Sequence, residues 1–204
     1  MKKKILITRK LLKENEDKLK ELFDVKLNVN DEIYTADKIL ELSKDCDGIL
    51  CAVTDKFNNE LINKLSPSIK IIANYAVGYG NIDVNAAKEK NIVVTNTPEV
   101  LDDSTADVSI LLLLGASRKV LEARRAAERQ DWKWSADFML GKQMSNKRLG
   151  ILGMGRIGRA VAKRARGFNM EIHYHNRSQL SKDLEEGAIY HKTVKDLFNC
   201  SDFL

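Results

Sequence analysis

Six residues carry the strongest chemical signal in this chain of 204: Gly153-Met154-Gly155-Arg156-Ile157-Gly158. Glycines at this spacing are what a diphosphate requires of a polypeptide. The first permits a tight turn, the second has no Cβ to block a phosphate, and the third lets the following helix pack close on the preceding strand. Backbone N–H groups at the start of that helix, together with its dipole, then hold the anion. A lone motif of this kind is a weak signal, and its context decides. Leu149-Gly150-Ile151-Leu152 reads as a strand leading in. Arg159 to Phe168 reads as a helix with Ala160, Val161, Ala162, Ala165 and Phe168 on its small or apolar face. Glu171-Ile172-His173-Tyr174-His175 reads as the next strand. The strand–helix–strand unit predicts a dinucleotide site.

The end of the second strand bears on which dinucleotide. An Asp or Glu about 20 residues on would hold a ribose 2′-hydroxyl. Here Asn176-Arg177-Ser178 stands in that place, Asn176 lying 23 positions after Gly153. A carboxylate would repel a 2′-phosphate, whereas Asn, Arg and Ser all donate hydrogen bonds, Arg with charge assistance. NADP is the expected cofactor. NAD is the alternative if Arg177 only stacks on the adenine.

The elements before this site alternate. Ile5-Leu6-Ile7 is a short apolar run, and Leu11 to Phe23 has helical spacing with Leu12, Leu19, Leu22 and Phe23 as its apolar side. Val25, Leu27 and Val29 alternate as in a strand. A helix starting at Thr35 would bury Ile39, Leu40 and Leu42. Then come a strand at Ile49–Val53, a helix from Asn59 to Leu65, a strand around Ile69–Ala73, a helix from Asp83 to Lys90 and a strand at Ile92–Thr95. Near-continuous apolar strands separated by helices predict a parallel sheet covered on both faces. Ligands of such sheets sit beyond the carboxyl ends of the strands, which draws attention to Val53-Thr54-Asp55 and to Asn74-Tyr75-Ala76-Val77-Gly78-Tyr79-Gly80. One long helix is expected from about Ser104 to Glu128, capped by Asp103-Ser104. Its Val108–Leu114 stretch is apolar on all sides and so buried between two bodies.

Composition is that of a globular protein, 44% apolar and 31% charged, with a net charge of +5. Residues 1–100 carry 16 basic and 16 acidic side chains, and residues 101–204 carry 18 and 13. That asymmetry suits an anionic ligand of the second half. It comes without a groove-reading motif or an aromatic platform, so nucleic acid is not an expected partner. Met1-Lys2-Lys3-Lys4 is followed by too short an apolar run for a signal peptide, and no stretch reaches the ~20 residues of a membrane helix. No membrane is expected, and the location expected is the cytoplasm. Cys46, Cys51 and Cys200 form no CxxC motif and read as buried apolar filler. His173 and His175 read as one face of a strand. No Cys/His cluster is visible in the order of residues, and no metal is expected.

Several segments together resemble the D-isomer-specific 2-hydroxyacid dehydrogenases. These are Asn74-Tyr75-Ala76-Val77-Gly78-Tyr79 with Asn81-Ile82-Asp83, Thr95-Asn96-Thr97-Pro98, Thr105-Ala106-Asp107, and Leu149 through Gly158. The Asn176-Arg177-Ser178 ending is most similar to the glyoxylate/hydroxypyruvate reductase branch. Gly80 departs from the family's common Asp. The resemblance covers the whole chain. It implies an α/β protein with a flavodoxin-like substrate domain (1–98), followed by a linker helix and a Rossmann-type cofactor domain (99–204), a doubly wound parallel sheet that is incomplete here. It implies hydride transfer between a nicotinamide cofactor and a small 2-keto or 2-hydroxy acid, and a homodimer. It places a substrate-carboxylate cradle at the backbone of Val77 and Gly78. It places cofactor contacts at Thr105, Gly153, Met154, Gly155, Arg156, Ile157, Gly158, Asn176, Arg177 and Ser178.

The resemblance also implies a catalytic His supported by a Glu, and an Arg, in the second half of the cofactor domain. None of the three histidines matches that motif, and no catalytic residue is assigned. Ser201-Asp202-Phe203-Leu204 resembles the start of the family's fourth Rossmann strand, so the chain reads as an N-terminal portion. On that reading Leu149–Leu152 is an open apolar edge prone to aggregation, and these 204 residues alone have no reductase activity. A non-catalytic, nucleotide-sensing scaffold of the co-repressor type is the alternative function.

Overall fold

A computed structural model describes residues 2–130 and 132–204, and Met1 and Asp131 lie outside them. The chain divides into two compact units, Met1–Val100 and Leu101–Leu204.

In the first unit, strands β1 (Lys4–Ile7), β2 (Asp24–Lys26), β3 (Gly48–Ala52), β4 (Ile71–Tyr75) and β5 (Val93–Thr95) alternate with helices α1 (Lys13–Leu22), α2 (Ala36–Ser43), α3 (Asn59–Lys64) and α4 (Val84–Glu89). All pairings are parallel and the strand order is β2-β1-β3-β4-β5, the doubly wound order of flavodoxin-like sheets. Leu6, Ile49, Cys51 and Ile72 from the strands meet Ile39, Leu61, Ile62 and Ala86 from the helices in one core. The side chains of Thr35, Asn58 and Asp83 cap α2, α3 and α4 by accepting backbone N–H groups of the first turn.

Two expected elements form here, one more exposed than its apolar spacing suggests and one shorter. Helix α1 buries none of its residues, and its flanking Leu12 is 63% exposed. The alternation at Val25, Leu27 and Val29 yields only the three-residue β2. Buried Asn28 ends it: its Nδ2 donates to the carbonyls of Thr8 and Glu32, both at 2.7 Å, and turns the chain.

In the second unit, α5 (Asp102–Ser117) and α6 (Val120–Arg129) precede β6 (Arg148–Leu152), α7 (Arg156–Arg166), β7 (Glu171–His175), α8 (Lys182–Glu185), β8 (Ile189–Tyr190) and α9 (Val194–Cys200). The parallel sheet runs β6-β7-β8, and Phe203 bridges Leu149 on the other side of β6. This is the start of a Rossmann-type sheet, with two strands, β7 and β8, to one side of β6 and the first pairing on the other.

The single long helix expected from Ser104 to Glu128 is instead α5 and α6, broken at Arg118–Lys119, where Lys119 is left-handed with φ 54°. The carbonyl of Ser117 accepts the N–H of Lys142 at 2.8 Å, from outside the helix. Leu101, not Asp103 or Ser104, occupies the cap of α5, and the Ser104 hydroxyl turns back to the Leu101 carbonyl. The stretch expected to be buried all round is buried on one side. Ile110, Leu113 and Leu114 pack on the core of this unit, while Val108, Leu111 and Leu112 are exposed. The edge of β6 is also less open than expected. Gly150 donates its N–H to Phe203 at 2.8 Å, and Asp202 and Phe203 donate theirs to the Arg148 carbonyl. Among the described residues, no helix is long and apolar enough to cross a membrane.

Candidate dinucleotide and anion sites

The glycine turn follows β6 directly. Gly153 has φ 101°, a conformation that L side chains rarely adopt. A Cβ on Gly158 would lie 2.3 Å from the Gly153 carbonyl oxygen, so only glycine lets α7 start this close to the turn. The position a Cβ of Gly155 would take is open space, as a phosphate requires. Gly155 precedes α7 with no side-chain cap. The N–H groups of Gly155 and Ile157 have no acceptor among the described residues. These are orphan donors of a helix start with the positive end of its dipole behind them.

Asn176 takes a place that its composition did not reveal. Its side-chain oxygen accepts the N–H of Met154 at 2.7 Å, so the end of β7 holds the glycine turn. Gly153 donates its own N–H to the His175 carbonyl at 3.0 Å. Arg177 and Ser178 are exposed, and Arg177 has no ion pair among the described residues. They line a cavity of about 570 Å³ with Gly153, Gly155, His175 and Asn176. The segment beyond is pinned from below. The buried Tyr174 hydroxyl donates to Glu185 at 2.6 Å and accepts the N–H of Leu180 at 3.0 Å. Burial, then the bond to Glu185, pushes the Tyr174 phenol up to about 12, so it stays a neutral donor. Sequence reasoning missed this anchor. Arg156 lies at the first position of α7, 3.6 Å from the Asp102 carboxylate. Thr105 is in the first turn of α5 and half-buried, with its carbonyl accepting the Ser109 hydroxyl at 2.8 Å.

In the first unit the loop after β4 is held by asparagines. Asn74, 2% exposed, donates to the Gly78 carbonyl at 2.8 Å, and Asn96 donates to the Val77 carbonyl at 2.7 Å. With both carbonyls tied back, the N–H groups of Val77 and Gly78 have no acceptor among the described residues. Asn81 joins Asn74 to the carbonyls of Ala52 and Asp55. Buried Asp55 accepts the Thr8 hydroxyl at 2.6 Å and the Ala52 N–H at 2.8 Å. Gly78, Gly80 and Asn81 line a cavity of about 730 Å³ with Lys56 and Asp83. Backbone N–H groups left without an acceptor among the described residues, with a lysine lining the same cavity as Gly78, are chemistry suited to an anion. Asp55 closes the Val53-Thr54-Asp55 strand end that the sequence had singled out and Lys56 follows it, but their roles depend on contacts between segments.

Cys46 and Cys51 are buried, as apolar filler would be. Burial pushes the Cys51 thiol up to about 12, which makes it inert. Cys200 is different: it is half-buried, and its sulfur lies 3.4 Å from His191 Nε2. The fold thus assembles a Cys/His cluster that residue order did not show.

Comparison with known proteins agrees with this geometry. Residues 5–196 match the family model described as D-isomer specific 2-hydroxyacid dehydrogenase, catalytic domain. A glyoxylate reductase of Pyrococcus furiosus is 36% identical over 209 residues, covering 100% of this chain and 62% of that protein. The crystal structure of a glyoxylate reductase from Paecilomyes thermophila is 35% identical with a TM-score of 0.84, covering 98% of this chain and 63% of that one. An NADPH-dependent glyoxylate/hydroxypyruvate reductase from Sinorhizobium meliloti, solved with NADP and malonate, is 30% identical with a TM-score of 0.83, covering 99% and 61%. The chain spans about three fifths of the length of these relatives. With two parallel α/β units in the family's order and a match over nearly all its residues, the chain belongs to the D-isomer specific 2-hydroxyacid dehydrogenase family.

Proposed function

We propose that this chain serves an NADP(H)-linked reductase of short 2-keto acids, of the glyoxylate/hydroxypyruvate type. The observation that carries the reading is the rim of the glycine-turn cavity. Arg177 and Ser178 stand exposed where a ribose-binding carboxylate would otherwise be, and Asn176 beside them is engaged with Met154. The names of similar proteins support the substrate class. In this reading residues 99–204 bind the cofactor and residues 1–98 bind the acid.

A nicotinamide cofactor supplies a hydride for the 2-carbon of the acid. The chain's own residues bind and orient. The N–H groups of Gly155 and Ile157 meet the diphosphate, Arg156 adds positive charge there, and Gly153, Met154 and Gly158 shape the turn. Arg177 and Ser178 bind the 2′-phosphate, and Thr105 contacts the nicotinamide end. The N–H groups of Val77 and Gly78 hold the substrate carboxylate. The proton donor for the carbonyl oxygen is not assigned to any described residue, so binding rather than turnover is the direct readout. The exposed Val108, Leu111 and Leu112 support a homodimer, and the unpaired thiols favour the cytoplasm.

The test is titration of the chain with NADPH and with NADH, following nicotinamide fluorescence. NADPH should bind at least about tenfold more tightly, a 1.4 kcal/mol preference, and Arg177→Ala should erase the difference. Equal or tighter binding of NADH overturns the cofactor assignment.

A further inference from the structure

In the second unit three side chains from three elements converge. His173 comes from β7, His191 follows β8, and Cys200 ends α9. Their nearest ligand atoms all lie within 4.8 Å of one another. His173 Nδ1 is 2.8 Å from His191 Nε2, and His191 Nε2 is 3.4 Å from Cys200 Sγ. From this geometry we infer that His173, His191 and Cys200 form a binding site for a thiophilic divalent cation of the zinc class.

Four features point to a ligand set rather than a chance polar contact. First, two of the three separations are near those of a ligand set, and the third, His173 to Cys200, is within 4.8 Å. Tetrahedral zinc with Zn–N near 2.0–2.1 Å and Zn–S near 2.3 Å separates two nitrogens by about 3.3 Å and a nitrogen from sulfur by about 3.6 Å. The observed 3.4 Å is already there, and the two imidazoles need to part by about half an ångström.

Second, the tautomers are set. His173 Nε2 lies 2.5 Å from the Glu171 carboxylate. That nitrogen therefore carries the proton, and the Nδ1 lone pair faces the cluster. A carboxylate behind a ligating imidazole is the usual outer support of a zinc histidine. Third, the backbone of His191 is fixed before any ion arrives. Its N–H donates to the Tyr174 carbonyl at 2.8 Å, and its carbonyl lies 2.9 Å from His175 Nδ1.

Fourth, exposure is graded. His173 is 6% exposed while His191 and Cys200 are half-buried, which gives a floor and an opening. Three protein ligands leave a fourth position for water. On binding, the ion replaces the thiol proton of Cys200, which points to the Leu197 carbonyl at 3.1 Å in its absence and is released to water as the metal–thiolate bond forms. It also displaces the proton on His191 Nε2, which moves to Nδ1 of the same ring.

The test uses the whole chain with Zn²⁺ alone and with Co²⁺ as a spectroscopic probe. One Zn²⁺ per chain should compete with a chromophoric chelator and raise the thermal midpoint. Co²⁺ should give a thiolate charge-transfer band with intense tetrahedral visible bands. Glu171→Gln should weaken Zn²⁺ by about 10–100-fold, as loss of an outer support does, and Cys200→Ser or His191→Ala by more. Cys46→Ala, in the other unit, should change nothing. A Co²⁺ spectrum of the unaltered chain without a thiolate band overturns the inference whatever the variants do. So does stoichiometric Zn²⁺ binding that survives both Cys200→Ser and His191→Ala.

Discussion

Asn176 offers the sharpest test of how the glycine turn is built. Its side-chain oxygen receives the N–H of Met154 at 2.7 Å, and Met154 is 1% exposed. Asn176→Ala leaves that donor buried with no partner and little access to water. An orphaned buried donor costs about 1–3 kcal/mol, so the second unit should lose about 5–150-fold in its folding equilibrium. NADPH affinity should fall as well, because the turn loses its tether. Asn176→Asp separates the two roles of the position. A carboxylate still accepts the Met154 N–H, so stability should return to near that of the unaltered chain. The new charge then faces the 2′-phosphate. At a separation of about 6 Å and an effective dielectric of about 20, repulsion per unit charge is about 3 kcal/mol. NADPH should weaken about 100-fold relative to NADH. Urea unfolding and parallel cofactor titrations measure both effects. If Asn176→Ala is as stable as the unaltered chain and binds NADPH equally well, the tether is not what holds the turn. If Asn176→Asp keeps its preference for NADPH, the end of β7 does not face a 2′-phosphate.

Further outcomes follow from other contacts. Gly158→Ala drives a Cβ to 2.3 Å from a backbone oxygen and should destabilise the second unit by about 1–3 kcal/mol, read as a lower urea midpoint with loss of cofactor binding. Asp55→Ala removes the acceptor of both the Thr8 hydroxyl and the Ala52 N–H. The Thr8 hydroxyl can turn to the Leu50 carbonyl at 3.3 Å, so the Ala52 N–H is the donor left orphaned; at about 1–3 kcal/mol for it, the first unit should lose about 1–3 kcal/mol and the Val77–Gly78 loop its support, both visible in hydrogen exchange. The Arg148 guanidinium holds the Asp202 carboxyl well below the usual carboxylate range. A depressed carboxyl contributes stability that is full above its unfolded pKa of about 3.9 and is lost as pH falls from there. Asp202→Asn should therefore flatten the fall in stability between pH 5 and pH 3, measured by urea unfolding across that range; an unchanged slope refutes the contribution.

What the sequence made legible was local. The glycine turn, its two flanking strands and α7 lie within the contiguous run Arg148–His175, so their pattern could be read directly, and β7 has the expected bounds Glu171–His175. The starts of α2, α3 and α4 fall within one residue of the expected Thr35, Asn59 and Asp83 for the same reason. What stayed hidden depends on pairs far apart in the chain. The break at Lys119 follows where the Ser117 carbonyl finds Lys142. The exposure of α1 cannot be read from its own spacing, because burial is set by what covers a face. His173 and His191 are 18 positions apart and meet only because β7 and β8 are neighbours in the sheet.

The two loops proposed to bind anions share one device. Asn74 and Asn96 hold the carbonyls of Val77 and Gly78, and Asn176 holds the N–H of Met154. Each loop lies beyond the end of a parallel strand, and each leaves backbone N–H groups without an acceptor among the described residues. An asparagine side chain is a peptide group on a short stem, with a donor and an acceptor, so it can clamp either a carbonyl or an N–H. It does so without charge. An aspartate at these places would repel the anion that the loop is shaped for, and it has no N–H to hold a carbonyl. A lysine or arginine would hold a carbonyl but would compete with the loop's own N–H groups for the ligand. The charge is therefore left to residues that make no structural clamp, Arg177 and Lys56, on the rims of the two cavities. Positioning and attraction are thus assigned to different side chains. Substitution of a clamp should therefore lower stability and affinity together, while substitution of a rim cation should lower affinity alone.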